Sequence, residues 1–399
     1  MKHTERDADG LDRRRGGADE TSRGSAERQT TGGDPGQAEE GLRVAAAAKE
    51  VQMDVERAAR EETDNDTDQV RRRSGALRRR GLAAGLAAGS VGLLAGGGAA
   101  PTAGPAPVMP ERPPKPAAPE VAKEKAITWD LTVTDHERVD FFVEFLMGKN
   151  YDRTRLWLER IGKYGPLIQS ELRAQGMPED LLYLTMIESG FDPNAYSTAH
   201  AAGLWQFIAE TGERYGLEVS EYVDQRRDPI ESTRAALTYL QEMHERFDSW
   251  YLAAAGYNTG ENRVGRLMRE TTGSERGEDA AYWDIWDRLP RETRDYVPLM
   301  LAAGHIAKQP GKYGFHDVEP MEPLEFEALT VPGGTKLSDV AKAGGVSPDA
   351  VADLNPHFLK GMTPPGRAMT VRVPLGRALV VAANLDKAVP LPGKTYLAD

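Results

Sequence analysis

From Thr128 to Lys312, apolar residues recur at helix spacing and no stretch alternates convincingly as a strand would. Val139, Phe142, Val143, Leu146 and Met147 mark one helix face. The segment from Pro178 to Ser189 opens with a first-turn proline and two acids, Glu179 and Asp180, which suit a helix N-terminus. From Leu181 to Ile187 it is apolar all round, as a buried helix is. Asp228-Pro229-Ile230-Glu231 reads as a capped helix start, with Ile230, Leu237, Leu240 and Phe247 on the face behind it. Further helices are expected around 249–258, 261–270 and 292–307. The pattern predicts an all-α domain over residues 128–315.

After Gly314 the texture changes. Glu325 to Val331 alternates like a strand, Leu337 to Ala343 and Pro348 to Leu354 read as short helices, and Met369 to Val373 alternates again. This predicts a separate β-α-α-β module over residues 322–376. The tail, 377–399, is punctuated by proline and carries no clear pattern. The expected fold class is mainly α, with one small mixed module.

Upstream of Thr128 the periodicity is lost. Residues 1–80 hold 17 Lys+Arg and 18 Asp+Glu and almost no large apolar residues, which predicts disorder. Arg78-Arg79-Arg80 precedes Leu82–Gly96, a short apolar run rich in Gly and Ala, and residues 81–110 carry no charged side chain. A basic run, then a short apolar run, then small residues is the layout of an export signal, assigned to 81–100. Arg79-Arg80 also permits a twin-arginine signal. A membrane tether through 82–96 is the second reading, because a spanning helix needs about 20 apolar residues. A plain Ala/Gly linker is the third. A signal placed this late leads to the expectation that translation starts after Met1, at Met53, so that the part of 1–80 before it is not translated. Eight prolines between Pro101 and Pro119 predict an extended spacer over 101–127.

Composition narrows the chemistry. The 399 residues carry 50 Lys+Arg against 62 Asp+Glu, a net charge of −12, and no cysteine. That excludes a disulfide scaffold, zinc-thiolate sites and a cysteine nucleophile. The acidic balance argues against general nucleic-acid binding. No metal or cofactor is expected.

Glu188 ends the all-apolar helix, on the face of Leu184 and Leu181. Burial and the negative end of the helix dipole both penalise its charged form, so its pKa should rise into the range of a proton donor. Gly190 and Asp192-Pro193 stop the helix there, at an edge where a cleft can begin. Gly203, Trp205 and Gln206 follow in a loop, where Gly203 permits close approach, Trp205 offers a flat face and Gln206 offers an amide. Tyr257 and Asn258 end a helix of small residues. Tyr296 has a hydroxyl that can reach a buried carboxylate. Most glycosidases need two carboxylates at a set separation, and no partner for Glu188 is evident. Asp192 reads as a turn cap, and Glu210, Asp224 and Asp228 as helix-start or loop residues.

In this order and spacing, Glu188-Ser189, Gly203-Leu204-Trp205-Gln206, Tyr257-Asn258-Thr259-Gly260 and Tyr296 resemble the lytic transglycosylases with a goose-lysozyme-like catalytic domain. The Trp-Gln-Phe variant looks most like the branch called membrane-bound lytic murein transglycosylase D. The resemblance implies a lysozyme-like all-α catalytic domain acting on the glycan strands of peptidoglycan. It implies Glu188 as the single acid, then base, with closure of a 1,6-anhydro ring. It implies Ser189, Gly203, Trp205, Gln206, Tyr257, Asn258 and Tyr296 as residues that line the glycan cleft or orient Glu188. Gly256 departs from the family, which usually has Ala there. Residues 322–376 are similar to a LysM domain, through Leu329-Thr330-Val331, Gly334-Thr335, Leu354-Asn355-Pro356 and Val371-Arg372-Val373-Pro374. Glycan binding by this module and a purely structural appendage remain alternatives. So do a hydrolytic lysozyme and a non-catalytic wall-binding protein for the whole. An exported location, in the periplasm or cell envelope, follows from the resemblance and the export signal.

Overall fold

In the computed structural model, residues 127–392 are described. The expectations for 1–126 and for the end of the tail lie outside the described residues.

The helical body is built from α1 (Glu137–Met147), α2 (Tyr151–Ala174), α3 (Leu182–Ser189), α4 (Ala209–Arg214), α5 (Pro229–Phe247), α6 (Trp250–Thr259), α7 (Glu261–Thr272), α8 (Ala281–Ile285) and α9 (Arg291–Lys308). A 3-10 turn at Glu179–Leu181 precedes α3. The start of α5 has the cap its sequence predicts. Asp228 accepts the backbone N–H groups of Ile230 at 2.9 Å and Glu231 at 3.2 Å. Ser249 caps α6 in the same way, accepting from Leu252 at 3.1 Å.

Helix α9 packs against α1, α3 and α6, so it runs through the middle of the body. Pro298 lies inside it and has no N–H for the carbonyl of Arg294 four residues back. That carbonyl instead accepts the hydroxyl of Tyr282 at 2.9 Å and the indole N–H of Trp286 at 2.8 Å. The helix therefore crosses the core without an orphaned acceptor. Between Thr128 and Lys312 the described backbone holds only isolated bridges, at Tyr196–Ala202, Ala202–Phe207, Val219–Asp224 and Val223–Phe358.

The second module contains β1 (Glu327–Val331), α10 (Leu337–Gly344), α11 (Pro348–Ala352), β2 (Met369–Val373), α12 (Ala378–Asn384) and β3 (Val389–Pro390). The sheet order is β2-β1-β3, all antiparallel, with Leu329 opposite Val371 on one side and Pro390 on the other. The tail from 377, unpatterned in the sequence, contributes α12 and β3. Both are short, and α12 buries only Ala378 and Val381, too few positions for a visible period.

Strand β1 joins two cores through its alternation. Leu329 and Val331 belong to the module's own core, with Leu337, Val340, Val351, Val371, Val373 and Val381. Ala328 packs against the core of the helical body. The module's core also takes in Val223, a fully buried residue from the loop between α4 and α5.

Candidate active site

Helix α3 ends at Gly190, whose φ of +59° suits a glycine, and whose N–H donates to the carbonyl of Met186 at 3.0 Å. A Cβ at Gly190 would stand 2.0 Å from Nε1 of Trp157. The stop after Glu188 is thus fixed by backbone conformation and by a close neighbour together.

Glu188 opens into a cleft of about 700 Å³. Ile187 and Glu188 line it from α3, and Ser197, Thr198, Ala199, Ala201 and Gln206 to Ile208 from the loop that follows. Tyr257 to Glu261, and Glu292, Asp295, Tyr296 and Leu299 of α9, also line it. Tyr296 donates its hydroxyl to Oε1 of Glu188 at 2.5 Å. Glu188 keeps some exposure toward the cleft but is enclosed on its other sides. Burial pushes its pKa up from 4.5 to about 7, the Tyr296 hydrogen bond opposes the rise, and the charge of Glu292 adds to it. Burial and the Glu188 charge hold the Tyr257 and Tyr296 hydroxyls well above their usual range, so both stay protonated donors.

Of the residues expected at the site, Glu188, Gln206, Tyr257, Asn258 and Tyr296 line the cleft. Tyr257 donates to the carbonyl of Trp205 at 2.7 Å, and Asn258 accepts from Thr293 at 2.8 Å. The Gln206 amide nitrogen bonds the carbonyls of Ala195 and Gly203, at 3.3 and 2.8 Å. These ties fix the polar side chains before any ligand arrives.

Three expectations need correction. Trp205 offers no face to a sugar. It is fully buried, and its indole N–H donates to Thr233 at 2.9 Å. The large apolar ring is better accommodated among core neighbours than in a wet cleft. Ser189 is also buried, and its hydroxyl bonds the carbonyls of Thr185 and Leu204, pinning α3 to the loop. Gly203, at φ +82°, packs against the backbone of Arg226, where a Cβ would stand 1.7 Å from the Arg226 carbonyl. These three shape the site from behind and do not line it.

The cleft also holds more carboxylates than the sequence reading allowed. Asp295 is bound by Arg138 through Nε and Nη2, at 2.8 and 3.0 Å. Glu261 meets Arg214 and Tyr239. Glu292 has no ion pair among the described residues and lies near enough to act on Glu188 electrostatically. Its spacing four residues before Tyr296, on the same helix face, was the available signal. Asp192 takes the turn role expected of it, accepting from Asn194 at 2.8 Å, and also pairs with Arg160 at 3.2 Å. At Gly256, a Cβ would press on Phe247 at 3.1 Å and Met243 at 3.3 Å, so larger neighbours fill the space of the missing methyl. Among the described residues no cluster of three or more His, Cys, Asp or Glu is placed to hold a metal. No described helix is long and apolar enough to cross a membrane.

The family description Transglycosylase SLT domain matches residues 166–279, and Lytic transglycosylase MltD, LysM-like domain matches 325–389. Tyr296 falls outside the first range and enters the site only through the fold. Membrane-bound lytic murein transglycosylase D of Escherichia coli (strain K12) is 36% identical over 197 residues, 49% of this chain and 42% of that protein. Membrane-bound lytic murein transglycosylase C of Haemophilus ducreyi is 26% identical over 168 residues, 39% of this chain and 43% of its own length. Peptidoglycan transglycosylase gp16 of Escherichia phage T7 is 32% identical over 150 residues, 37% of this chain and 10% of its own length. The chain therefore spans less than half the length of each of these relatives.

Proposed function

Because the chain joins an SLT transglycosylase domain to a LysM-like domain of the MltD kind, we propose that it is a peptidoglycan lytic transglycosylase. It cleaves the β-1,4 bond between N-acetylmuramic acid and N-acetylglucosamine. The observation that carries the reading is the Tyr296–Glu188 hydrogen bond in the cleft.

Oε1 of Glu188 accepts from Tyr296, which leaves Oε2 to carry the transferable proton. With a pKa of about 7, Glu188 is largely protonated in mildly acidic solution and about half protonated at neutral pH, and can give that proton to the glycosidic oxygen. The C1–O bond of the muramoyl residue breaks and the N-acetylglucosamine end leaves as an alcohol. The carboxylate of Glu188 then takes the proton of the C6 hydroxyl, whose oxygen bonds to C1 and closes the 1,6-anhydro ring. The proton count closes without water as a reactant. Tyr257, Asn258 and Gln206 hold the glycan in register, and Ser189, Gly203 and Trp205 hold the walls.

Substrate contact is assigned to the cleft, and the protein works outside the cytoplasm, carried there by 82–96 as signal or tether. Mass spectrometry of digested sacculi tests the reaction. Soluble fragments lighter by one water than their hydrolysis products support it. Reducing-end products indicate a hydrolase, and sacculus binding without release indicates a wall-binding protein.

A further inference from the structure

The loop between α3 and α4 that lines the cleft is held by contacts that lead to the second module. Arg226, almost fully buried, donates through Nη1 to the carbonyls of His200 at 2.8 Å and Phe207 at 3.1 Å. Those carbonyls flank the loop that contributes Ala201, Gln206 and Phe207 to the cleft. The backbone of Arg226 also supports Gly203. The other side of the guanidinium is gripped by Asp224, at 2.9 Å from Nε and 2.8 Å from Nη2.

Residues 222–228 are in turn clamped by the second module. Asp224 donates its backbone N–H to the carbonyl of His357 at 2.9 Å, and Leu359 donates to the carbonyl of Tyr222 at 2.9 Å. Val223 is buried in the module's core. At the end of the segment, Nη2 of Arg372 binds both oxygens of the buried Asp228, at 2.9 and 2.8 Å. Asn355 fixes the backbone of Arg372 by accepting its N–H at 2.9 Å and donating to its carbonyl at 2.7 Å. Lys360–Glu221 and Arg367–Glu218 pair at the exposed rim.

We infer that the LysM-like module is a brace for the catalytic cleft, with Arg372, Asp228 and Arg226 as positioning residues that hold the 195–207 wall. The inference rests on the proposed activity for its meaning in catalysis, but the mechanical part does not. A module tethered only to carry a ligand would need no buried charge in the partner body. Here Arg372 and the buried His357 of the module both meet Asp228, the carbonyl of His357 accepts from Asp224, and Asp224 grips the Arg226 that reaches the carbonyl of Phe207.

The test is hydrogen exchange on the full chain, with sacculus digestion in parallel. Asp228→Asn keeps a good helix cap while removing the charge that binds Arg372. Arg226→Lys keeps the charge but loses the planar fork that spans Asp224, His200 and Phe207. Both should speed exchange of the Ala202 and Gly203 amides about tenfold or more. With Asp228→Asn the amides of 327–373 also loosen, and with Arg226→Lys they do not. KM for sacculi should rise while the pH dependence set by Glu188 is unchanged. Lys360→Ala, at the rim, should leave 195–207 as in the wild type. If Asp228→Asn loosens only 218–228 and the module, the brace is refuted, whatever the activity. If the wild type releases no anhydro product, the activity is refuted and the exchange data still decide the brace.

Discussion

Tyr296 donates to Glu188 across 2.5 Å although the two residues are 108 positions apart. One stands at the end of α3 and the other in the second turn of α9, and only the packing of these helices brings them together. The hydrogen bond stabilises the charged carboxylate, while burial and Glu292 destabilise it. The balance sets Glu188 near the pH at which a group can both give and take a proton.

Glu188→Gln should lower the release of anhydro-muropeptides by about 10²–10⁴, the usual size of a general acid–base contribution. It should also change stability in a pH-dependent way. Between pH 4.5 and about 7 the folded protein holds a proton on Glu188 that the unfolded chain has lost. Stability therefore falls as pH rises through this window, by about 3 kcal/mol at most. Glu188→Gln should match the wild type in thermal melting at pH 4 and melt higher at pH 8.

Tyr296→Phe and Glu292→Gln should move the pH dependence in opposite directions. Losing the tyrosine donor raises the Glu188 pKa further, so the alkaline limb of kcat/KM shifts to higher pH. Losing the Glu292 charge lowers it, and the limb shifts to lower pH. Tyr296→Phe should also lower kcat about tenfold to a hundredfold, as expected for a hydrogen bond to a charged group. Shifts of the same sign in both variants would show that neither residue acts on Glu188 in the way described.

Trp205→Phe tests the burial of Trp205 directly. The change removes the Thr233 hydrogen bond and leaves a gap in a fully buried site. Stability should drop by about 2–4 kcal/mol with little change in KM. A stable variant with a much higher KM would return Trp205 to the sugar-binding surface.

His357→Gln should change the acid side of the stability curve. Burial pushes His357 down from 6.5 to about 4, against the pull of the Asp228 charge, with Arg372 assisting and Glu218 opposing. Below pH 6.5 the unfolded chain binds a proton that the folded protein does not. Stability therefore falls as pH drops from 6.5 through about 4, by about 3 kcal/mol at most. In denaturant titrations His357→Gln should lose most of this slope.

Much of the fold is legible in local pattern. Apolar spacing marks α1, α5 and α7, each of which buries a stripe of its own residues, while α6 and α9 show as apolar runs buried on nearly all sides. The Asp228 cap and the Gly190 stop depend on neighbours in the chain, and alternation marks β1 and β2, although Arg372 of β2 is buried along with Val371 and Val373. Glu188 was identifiable because an acid that ends an all-apolar helix is anomalous wherever the helix packs. The direction in which each polar or aromatic side chain turns is set by packing between distant segments. Trp205 turns inward to Thr233, Ser189 to the carbonyl of Leu204, and Asp228, while still capping α5, to Arg372 of another module. Side-chain type states what a residue can bond, but the partner here lies from 15 to 144 positions away. The choice among partners is made by burial. An unpaired polar group or a wet indole is costly, and only the assembled fold shows which neighbour removes that cost.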